Sequence, residues 1–332
     1  MSKPRILSGM RPTGALHLGH LTGALDNWVG LQDTYDCFWA IVDWHALTTD
    51  YANPDPVAEN VLEVATDFLA AGLDPDRAAI FVQSLVPEHA ELHLLLSMVV
   101  PVPWLERVPS YKDQQAQLQE RDLSTYGFLG YPLLQSADIM VYRADAVPVG
   151  EDQAPHIELT REVVRRFNHF YGPVFPEPKT LLTATPRTPG TDGRKMSKSY
   201  GNAILLKDPE DVVRQKLKTM VTDPARQRRT DPGNPDVCPV FDLHKAFSTK
   251  ETQEWAAQGC RTAGIGCLDC KARLADHVVA RLAVIQERRR EYAARPDTVW
   301  DVLRDGSRKA REAARATMEA VRSAMKLRYP IA

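Results

Sequence analysis

Pro12-Thr13-Gly14-Ala15-Leu16-His17-Leu18-Gly19-His20 follows directly on a short apolar run, Ile6-Leu7. A buried strand ends there and a Gly-containing turn follows. Leu18, Leu21, Leu25, Trp28 and Gln32 then step at helical spacing, so the stretch reads as strand, turn and helix. Such a turn leaves unpaired backbone N–H groups and the positive end of the helix facing the strand terminus, where an anion is stabilised. His17 and His20, three residues apart, share one face of the first helical turn. Gly19 leaves space beside them for a flat or bulky ligand. Two imidazoles so placed can donate to phosphate oxygens as charge develops during transfer. The plainer reading of the pair is two metal ligands or two capping histidines.

Outward from that unit the alternation continues. Cys37 to Val42 and Ala79 to Val82 read as buried strands. Between them Val57, Val61, Ala65, Phe68 and Leu69 mark a helix, with Asp55 expected as N-cap, Pro56 in the first turn and Gly72 past the end. A helix over Tyr131 to Val141, a short strand at Val147-Pro148-Val149 and a helix over Asp152 to Phe170 repeat the pattern. Alternation with short connections argues for an α/β fold, a Rossmann-like parallel sheet covered on both faces. Ligands in such folds sit at the carboxyl ends of the strands. After about Leu206 helical periods replace strands. Residues 1–205 are therefore expected to form the catalytic domain and 206–332 an α-helical C-terminal domain.

A chain of 332 residues is long enough for two domains and a sizeable core. Its net charge of -2 argues against a protein that coats nucleic acid non-specifically, although a local basic surface remains compatible with it. Lys216, Lys218, Arg226, Arg228 and Arg229 are grouped, and Arg304, Arg308, Lys309, Arg311, Arg315 and Arg322 follow near the end. For any one of these a solvated helix face is the ordinary reading. Met1-Ser2-Lys3-Pro4 runs straight into the first strand without a secretory signal. The longest apolar stretch, Leu94 to Val102, is interrupted by Ser97 and Pro101 and is too short to span a bilayer. A cytoplasmic location with no membrane partner is expected.

A second charged motif lies after the apolar run Leu181-Leu182: Gly193-Arg194-Lys195-Met196-Ser197-Lys198-Ser199. Gly190 and Gly193 suggest a loop that can move. Two lysines bracketing a serine suit a clamp on a leaving pyrophosphate, whose negative charge must be neutralised as its bond breaks. Either motif alone is of moderate weight, since several nucleotidyl transferases share the histidine pattern and most Lys/Ser loops are merely solvated. Together, on a chain that reads as a nucleotide-binding α/β fold, they point to adenylate chemistry.

The two motifs resemble the HIGH and KMSKS signatures of class I aminoacyl-tRNA synthetases. Val42-Asp43-Trp44-His45-Ala46, Gly130-Tyr131-Pro132, Ala137-Asp138-Ile139 and Val147 to Gln153 extend the likeness, over nearly the whole chain, to the tryptophanyl-tRNA synthetases. The resemblance implies ATP with Mg²⁺, tryptophan and tRNA(Trp) as substrates and partners, and a homodimer joined through the region between Met98 and Gly130. It further implies that His17 and His20 meet the ATP phosphates and that Lys195, Ser197 and Lys198 hold the pyrophosphate. Asp152 and Gly150 would lie near the ribose, and Arg11, Thr13, Gly19 and Met196 would complete the ATP site. Leu7, His45, Tyr131, Gln135, Asp138 and Gln153 would line the amino-acid pocket. The chemistry implied is attack of the amino-acid carboxylate on the α-phosphorus, then transfer to a tRNA ribose hydroxyl, with positioning and electrostatics as the catalytic means.

Tyr131, Gln135 and Asp138 fall on one helical face, and Tyr-x-x-x-Gln-x-x-Asp resembles the phenol-reading helix of tyrosyl-tRNA synthetases. Gly150-Glu151-Asp152-Gln153 and the His45 segment are similar to tryptophanyl forms instead. Two alternatives accompany the tryptophan reading: a tyrosyl enzyme, and a catalytically silent regulatory binder, against which the intact His17, His20, Lys195 and Lys198 count.

Four of the five cysteines cluster late in the chain: Cys238, Cys260, Cys267 and Cys270. A reducing compartment argues against disulfides. Four cysteines in such a protein ordinarily suggest zinc held by two Cys-x-x-Cys pairs. Only Cys267-x-x-Cys270 is such a pair, and the uneven spacing is closer to an iron–sulfur ligand set. It resembles the subgroup of tryptophanyl-tRNA synthetases with a [4Fe–4S] cluster in the anticodon-binding domain, which implies that role for residues 206–332. Zinc and free thiols stand as the alternatives.

Overall fold

The opening strand, β1 (Arg5–Met10), pairs in parallel with β2 (Asp36–Ile41), which pairs with β3 (Ala78–Val82). On its other side β1 pairs with β4 (Ala146–Val149), and β4 pairs with β5 (Lys179–Leu182), giving the order β3-β2-β1-β4-β5 with every pairing parallel. The computed structural model describes residues 3–109, 111–112, 122–182 and 188–329. Part of the expected dimer region, residues 113–121, lies outside the described residues.

Side chains alternate along each strand between two faces, and both faces are apolar. Ile6, Cys37, Trp39, Ile41 and Ile80 enter one core, while Leu7, Phe38, Ala40 and Phe81 enter the other. The expected strands are thus present. The strand order reverses between β1 and β4, and at such a switch point the loops leave in opposite directions and open a crevice at the carboxyl ends.

Helix α1 starts as Leu18–His20, passes through a π-helical segment at Leu21–Leu25 and resumes as Asp26–Leu31. The even apolar spacing gives no hint of that widened turn. Next come α2 (Asp43–Asp50) and α3 (Val57–Ala71). Asp55 was expected to cap α3, but the cap position belongs to Pro56, whose fixed φ starts the helix without a side-chain acceptor. Gly72 ends α3 in the left-handed conformation, at φ 112°, where its N–H donates to the Leu69 carbonyl and the Leu73 N–H to that of Phe68. Then follow α4 (Glu88–Ser97), α5 (Val102–Glu106) and α6 (Tyr126–Val141). Helix α6 begins five residues before its expected start at Tyr131, because Thr125 caps it by accepting from Phe128 N–H. Pro132 lies inside it, near enough to the amino end to be accommodated. Helix α7 (Ala154–Tyr171) follows a 3₁₀ turn at Glu151–Gln153, so the first residues of the expected helix are in a tighter turn.

Beyond Leu206 the elements are helical: α8 (Glu210–Thr219), α9 (Pro239–Phe247), α10 (Lys250–Arg261), α11 (Cys267–Ala293) and α12 (Pro296–Ala324). Val213, Leu217, Leu274 and Leu282 join the core that contains Ile6 and Trp39. Helix α12 starts on that face with Val299 and Leu303 and finishes on the other with Ala310, Ala314, Met318 and Val321. It crosses the edge strand β3 at Gly306, where any Cβ would overlap the Ile80 carbonyl. An edge strand with unpaired backbone groups is thereby covered. Several basic residues of α12 are paired internally: Arg304 with Asp301, Arg308 with Glu312, Arg311 and Arg315 with Glu88, and Arg322 with Glu91.

Candidate active site

At the switch point the chain encloses a cavity of about 340 Å³. Leu7, Ser8, Gly9, Met10 and Arg11 line it from the end of β1, and Val147, Pro148, Val149, Gly150 and Gln153 from the end of β4. Helix α6 contributes Tyr131, Gln135, Asp138 and Ile139, which face the cavity at spacings of three and four as their helical positions require. His45 enters from α2 and His156 from α7. All six residues expected for the amino-acid pocket, together with Arg11 and Gly150, are therefore brought together. The lining is mostly apolar with a few polar groups, the ordinary make-up of a small-molecule site.

One of those polar groups is a buried carboxylate. Asp138 Oδ1 accepts from Gln83 Nε2 (2.8 Å) and from His89 Nδ1 (2.6 Å), and Oδ2 accepts from His45 Nε2 (2.9 Å). Burial by itself would raise its pKa, but the hydrogen bonds from His45 and His89 outweigh it and hold the carboxyl well below the usual carboxylate range. It is an anion whose partners are all donors. Gln83 and His89 were missed in the sequence. The only signal was position: Gln83 directly follows β3, and His89 lies in the first turn of α4.

The histidine motif lies on the turn between β1 and α1, and His17, Gly19 and His20 are not among the residues that line the cavity. His17 Nδ1 accepts from Gly19 N–H (3.1 Å) and His20 Nδ1 from the His17 N–H (3.2 Å), with ring centroids 3.8 Å apart. Burial, assisted by the charges of Lys198 and Lys195, pushes the His17 pKa down to about 4. His20 is lowered well below its ordinary value by burial, then by His17 and the same lysines. Both rings are neutral at pH 7, and with each Nδ1 accepting, each carries its proton on Nε2 as a free donor. They do cap the turn, as the plainer reading had it, and the cap itself fixes the tautomer. The space at Gly19 is filled by the His17 ring and by Met196, so the glycine serves close packing here. Behind the turn Asp67, a carboxylate within the apolar face of α3, accepts from Leu16 N–H (2.8 Å) and Arg289 (2.8 Å). Its charge among Val64, Ala65, Phe68 and Leu69 was the overlooked sign.

The lysine motif packs onto this turn. Met196 is buried against Gly19, and Thr188, whose carbonyl accepts from Met196 N–H (3.1 Å), bonds Thr22 of α1 (2.7 Å). Lys198 Nζ donates to the carbonyls of Thr13 (2.7 Å), Gly14 (3.0 Å) and Ala15 (3.0 Å). Burial, partly countered by Asp67 and Glu63, brings its pKa down to about 8. Lys195 lies 3.6 Å from Asp152, which ties the motif to the loop after β4. Ser197 Oγ meets Ser199 Oγ at 2.8 Å, while its N–H donates to Asn202 Oδ1 (2.8 Å). Asn202 also donates to Asp192 (2.7 Å) and to the Lys195 carbonyl (3.2 Å), a role no motif announced. Arg11 reaches the Ala46 carbonyl (3.4 Å), Thr49 and Asp50 (3.5 Å) beside the cavity.

The cysteines come from separate segments to one corner of the helical region. Burial, reinforced by Cys238, Cys260 and Cys267, pushes the Cys270 thiol up to about 12. His244 Nε2 lies 3.3 Å from Cys270 Sγ and Arg226 Nη1 3.8 Å from Cys260 Sγ. Among the described residues no three His, Cys, Asp or Glu side chains form a group able to hold a metal ion. The thiols as placed do not fit a closed ligand set. No helix among the described residues is long and apolar enough to cross a membrane.

A twin-histidine turn and a lysine loop at the switch point of a parallel sheet define a class I nucleotide-activating enzyme, and sequence comparison agrees. The family model for tRNA synthetases class I (W and Y) matches residues 1–283, and the chain belongs to that family. Within it the likeness falls on the tryptophanyl side. A tryptophan–tRNA ligase of Thermotoga maritima is 55% identical, covering 98% of this chain and 100% of that protein. One of Ralstonia nicotianae is 47% identical over 99% of this chain and 100% of its own length. The tryptophanyl-tRNA synthetase of Campylobacter jejuni, crystallised with ADP and tryptophan, superposes with a TM-score of 0.86 at 31% identity, covering 97% of this chain and 99% of that one.

Proposed function

We propose that this chain is a tryptophan–tRNA ligase whose cavity takes tryptophan and whose histidine and lysine motifs take Mg²⁺-ATP. The observation that carries the reading is the buried Asp138 carboxylate, the one acidic side chain in the cavity lining, with the twin-histidine turn following the strand that supplies Arg11 and Met10 to the same lining. A fixed carboxylate acceptor among the apolar side chains Leu7, Val147, Val149 and Ile139 suits the one N–H of an indole. The tryptophan carboxylate attacks the α-phosphorus of ATP, forming tryptophanyl-adenylate and releasing pyrophosphate. The 2′-hydroxyl of the terminal ribose of tRNA(Trp) then attacks the carbonyl carbon of the adenylate, and AMP leaves.

In this proposal His17 and His20 donate from Nε2 to the phosphate oxygens. Lys195, Ser197 and Lys198 neutralise the departing pyrophosphate. Gly150 and Asp152 adjoin the ribose, and Arg11, Thr13, Gly19 and Met196 shape the ATP site. Leu7, Tyr131 and Gln153 hold the ring and amino group of tryptophan, with His45, Gln135 and Asp138 at its polar edge. No side chain forms a covalent intermediate; the catalytic means are positioning and electrostatics. The division at residue 205 separates the activating half from a helical half that meets tRNA, and a homodimer in the cytoplasm is part of the same reading. The exposed apolar residues Leu94, Met98 and Val102 support the dimer contact.

The test is pyrophosphate exchange into ATP with a panel of amino acids. Tryptophan supports it and tyrosine does not; comparable kcat/KM for the two would remove the assignment, and no exchange at all would favour a silent binder.

The cysteine corner is a separate proposal, an iron–sulfur cluster with zinc as the alternative; its support is the nearness of Cys238, Cys260 and Cys267 to Cys270, and the thiols would have to reorient to close a ligand set. A metal would have to displace the thiol protons that burial favours on Cys260 and Cys270. No catalytic step depends on it. Iron and zinc content after purification without oxygen decides: a brown protein with about four irons supports the cluster, and a colourless one with a single zinc overturns it.

A further inference from the structure

Asp138 is unequally used on its two oxygens. Oδ1 accepts two hydrogen bonds, from Gln83 and His89, side chains with no exposure that lie outside the cavity lining. Oδ2 accepts one, from His45, which does line the cavity. A carboxylate oxygen has two lone pairs. Oδ1 is therefore filled from behind, and Oδ2 keeps one position open on the cavity side.

The rear partners are themselves ordered. Tyr142 lies four residues after Asp138 on the same helical face, fully buried, with its hydroxyl 2.7 Å from His89 Nε2. With the phenol donating, Nε2 accepts and the ring proton sits on Nδ1, the tautomer that Asp138 Oδ1 needs. Gln83 donates to Oδ1 from Nε2 while its own buried Oε1 has no partner. A buried amide that leaves its oxygen unmatched indicates that the donor, and not the packing, sets its orientation.

From this we infer that His89 and Gln83 are positioning residues for amino-acid selection: by filling Asp138 Oδ1 they leave Oδ2 as the carboxylate oxygen offered to the indole N–H. Neither touches the substrate, and Tyr142 serves by holding the His89 tautomer. The inference deepens the tryptophan reading and rests on it. It also explains why a pocket that carries Gln135 where the phenol reader of a tyrosyl enzyme would stand can read a lone N–H: the acceptor is fixed by donors from β3 and α4, away from the lining.

The discriminating experiment compares tryptophan with β-(3-benzothienyl)alanine, in which sulfur replaces the ring N–H, in pyrophosphate exchange. The native enzyme prefers tryptophan. His89→Leu raises the KM for tryptophan roughly 10-fold or more, the effect of a charge-assisted hydrogen bond. The KM for the thienyl analogue and the kcat for both stay near native values, so the preference collapses. His89→Asn, whose amide can donate from the Nδ1 position, restores most of it. Gln83→Leu gives a smaller loss of the same kind and carries the test if His89→Leu fails to fold. Equal weakening towards both amino acids in these variants would reduce His89 and Gln83 to structural residues, while leaving Asp138 as acceptor. A native enzyme indifferent to the N–H would overturn the acceptor itself, and with it the positioning.

Discussion

The proposed amino-acid pocket and the proposed phosphate site lie on the two sides of the turn after β1 and are built on opposite plans. Asp138 is buried, with His45, His89 and Gln83 all donating to it, and His89 further held by Tyr142. Its position is set without a ligand by these donors, although Gln83 Oε1 is left without a partner and Asp138 Oδ2 keeps one lone pair for a ligand. Lys195, by contrast, is more than half exposed and meets Asp152 at 3.6 Å, its one ion pair among the described residues, and Lys198 rests on three backbone carbonyls of the opposing turn. Selection of the amino acid is a property of the folded ground state. In the proposed mechanism neutralisation of pyrophosphate falls to these lysines, which can exchange their present partners for phosphate oxygens when charge moves.

The largest expected effect tests the second half of that contrast. Lys198→Ala lowers kcat for adenylate formation by about 10²–10³, the usual loss of one donor aimed at developing charge. The equilibrium affinity for tryptophan, measured by fluorescence titration, changes little. Loss of tryptophan affinity without loss of rate would mean that the lysine belongs to the pocket and that the contrast is false.

Next in size is the matching change in the pocket. Asp138→Ala leaves the indole N–H, His45, His89 and Gln83 short of their acceptor. Tryptophan binding weakens by about 1.5–3 kcal/mol for the lost charged acceptor, read as a rise in the tryptophan KM. The KM for ATP holds. If the variant binds tryptophan as the native protein does, Gln135 or a water is the acceptor.

Much of this contrast can be read from residue types, and part of it cannot. The strands, the parallel sheet and the two motifs follow from periodicity and spacing, since Ile6/Leu7 and Phe38/Trp39 alternate between two apolar faces. The pocket helix was visible because Tyr131, Gln135 and Asp138 fall on one side of it. The rear of the pocket was not, because Gln83 and His89 reach Asp138 across 55 and 49 residues of chain. No local pattern reports such a distance. Asp55 failed as a cap for a related reason: Pro at the next position already fixes the backbone. Gly306, which lets α12 cross β3, reads in sequence as an ordinary helix-weakening glycine.

The pH profile separates the two regions again, with a smaller effect. Burial lowers the Lys198 pKa to about 8, so its ammonium is present at pH 7 and lost as the pH rises through 8. In the free enzyme kcat/KM for ATP should fall above that point, approaching tenfold per pH unit. Asp138, held far below neutrality, contributes no limb between pH 6 and 9. Lys198→Arg keeps its charge and should flatten the alkaline fall. A fall that persists unchanged in that variant would assign the limb to another group.

The smallest effect concerns the residue that gives the lysine loop its shape. Asn202 accepts from Ser197 N–H and donates to Asp192 and to the Lys195 carbonyl, and Gly190 is packed so closely on it that no side chain fits there. The amide therefore holds the two lysines in register without touching any substrate. In Asn202→Ala these groups lose a partner, but Asp192 and Ser197 are partly exposed and water can replace it. The net cost is about 1 kcal/mol, near the typical value for one exchanged hydrogen bond. It should appear as a roughly 3- to 10-fold lower kcat in pyrophosphate exchange, with the tryptophan KM and the preference over the thienyl analogue unchanged. If Asn202→Ala instead erodes that preference, the loop and the pocket are coupled, and their separation into a rigid reader and a flexible clamp no longer holds.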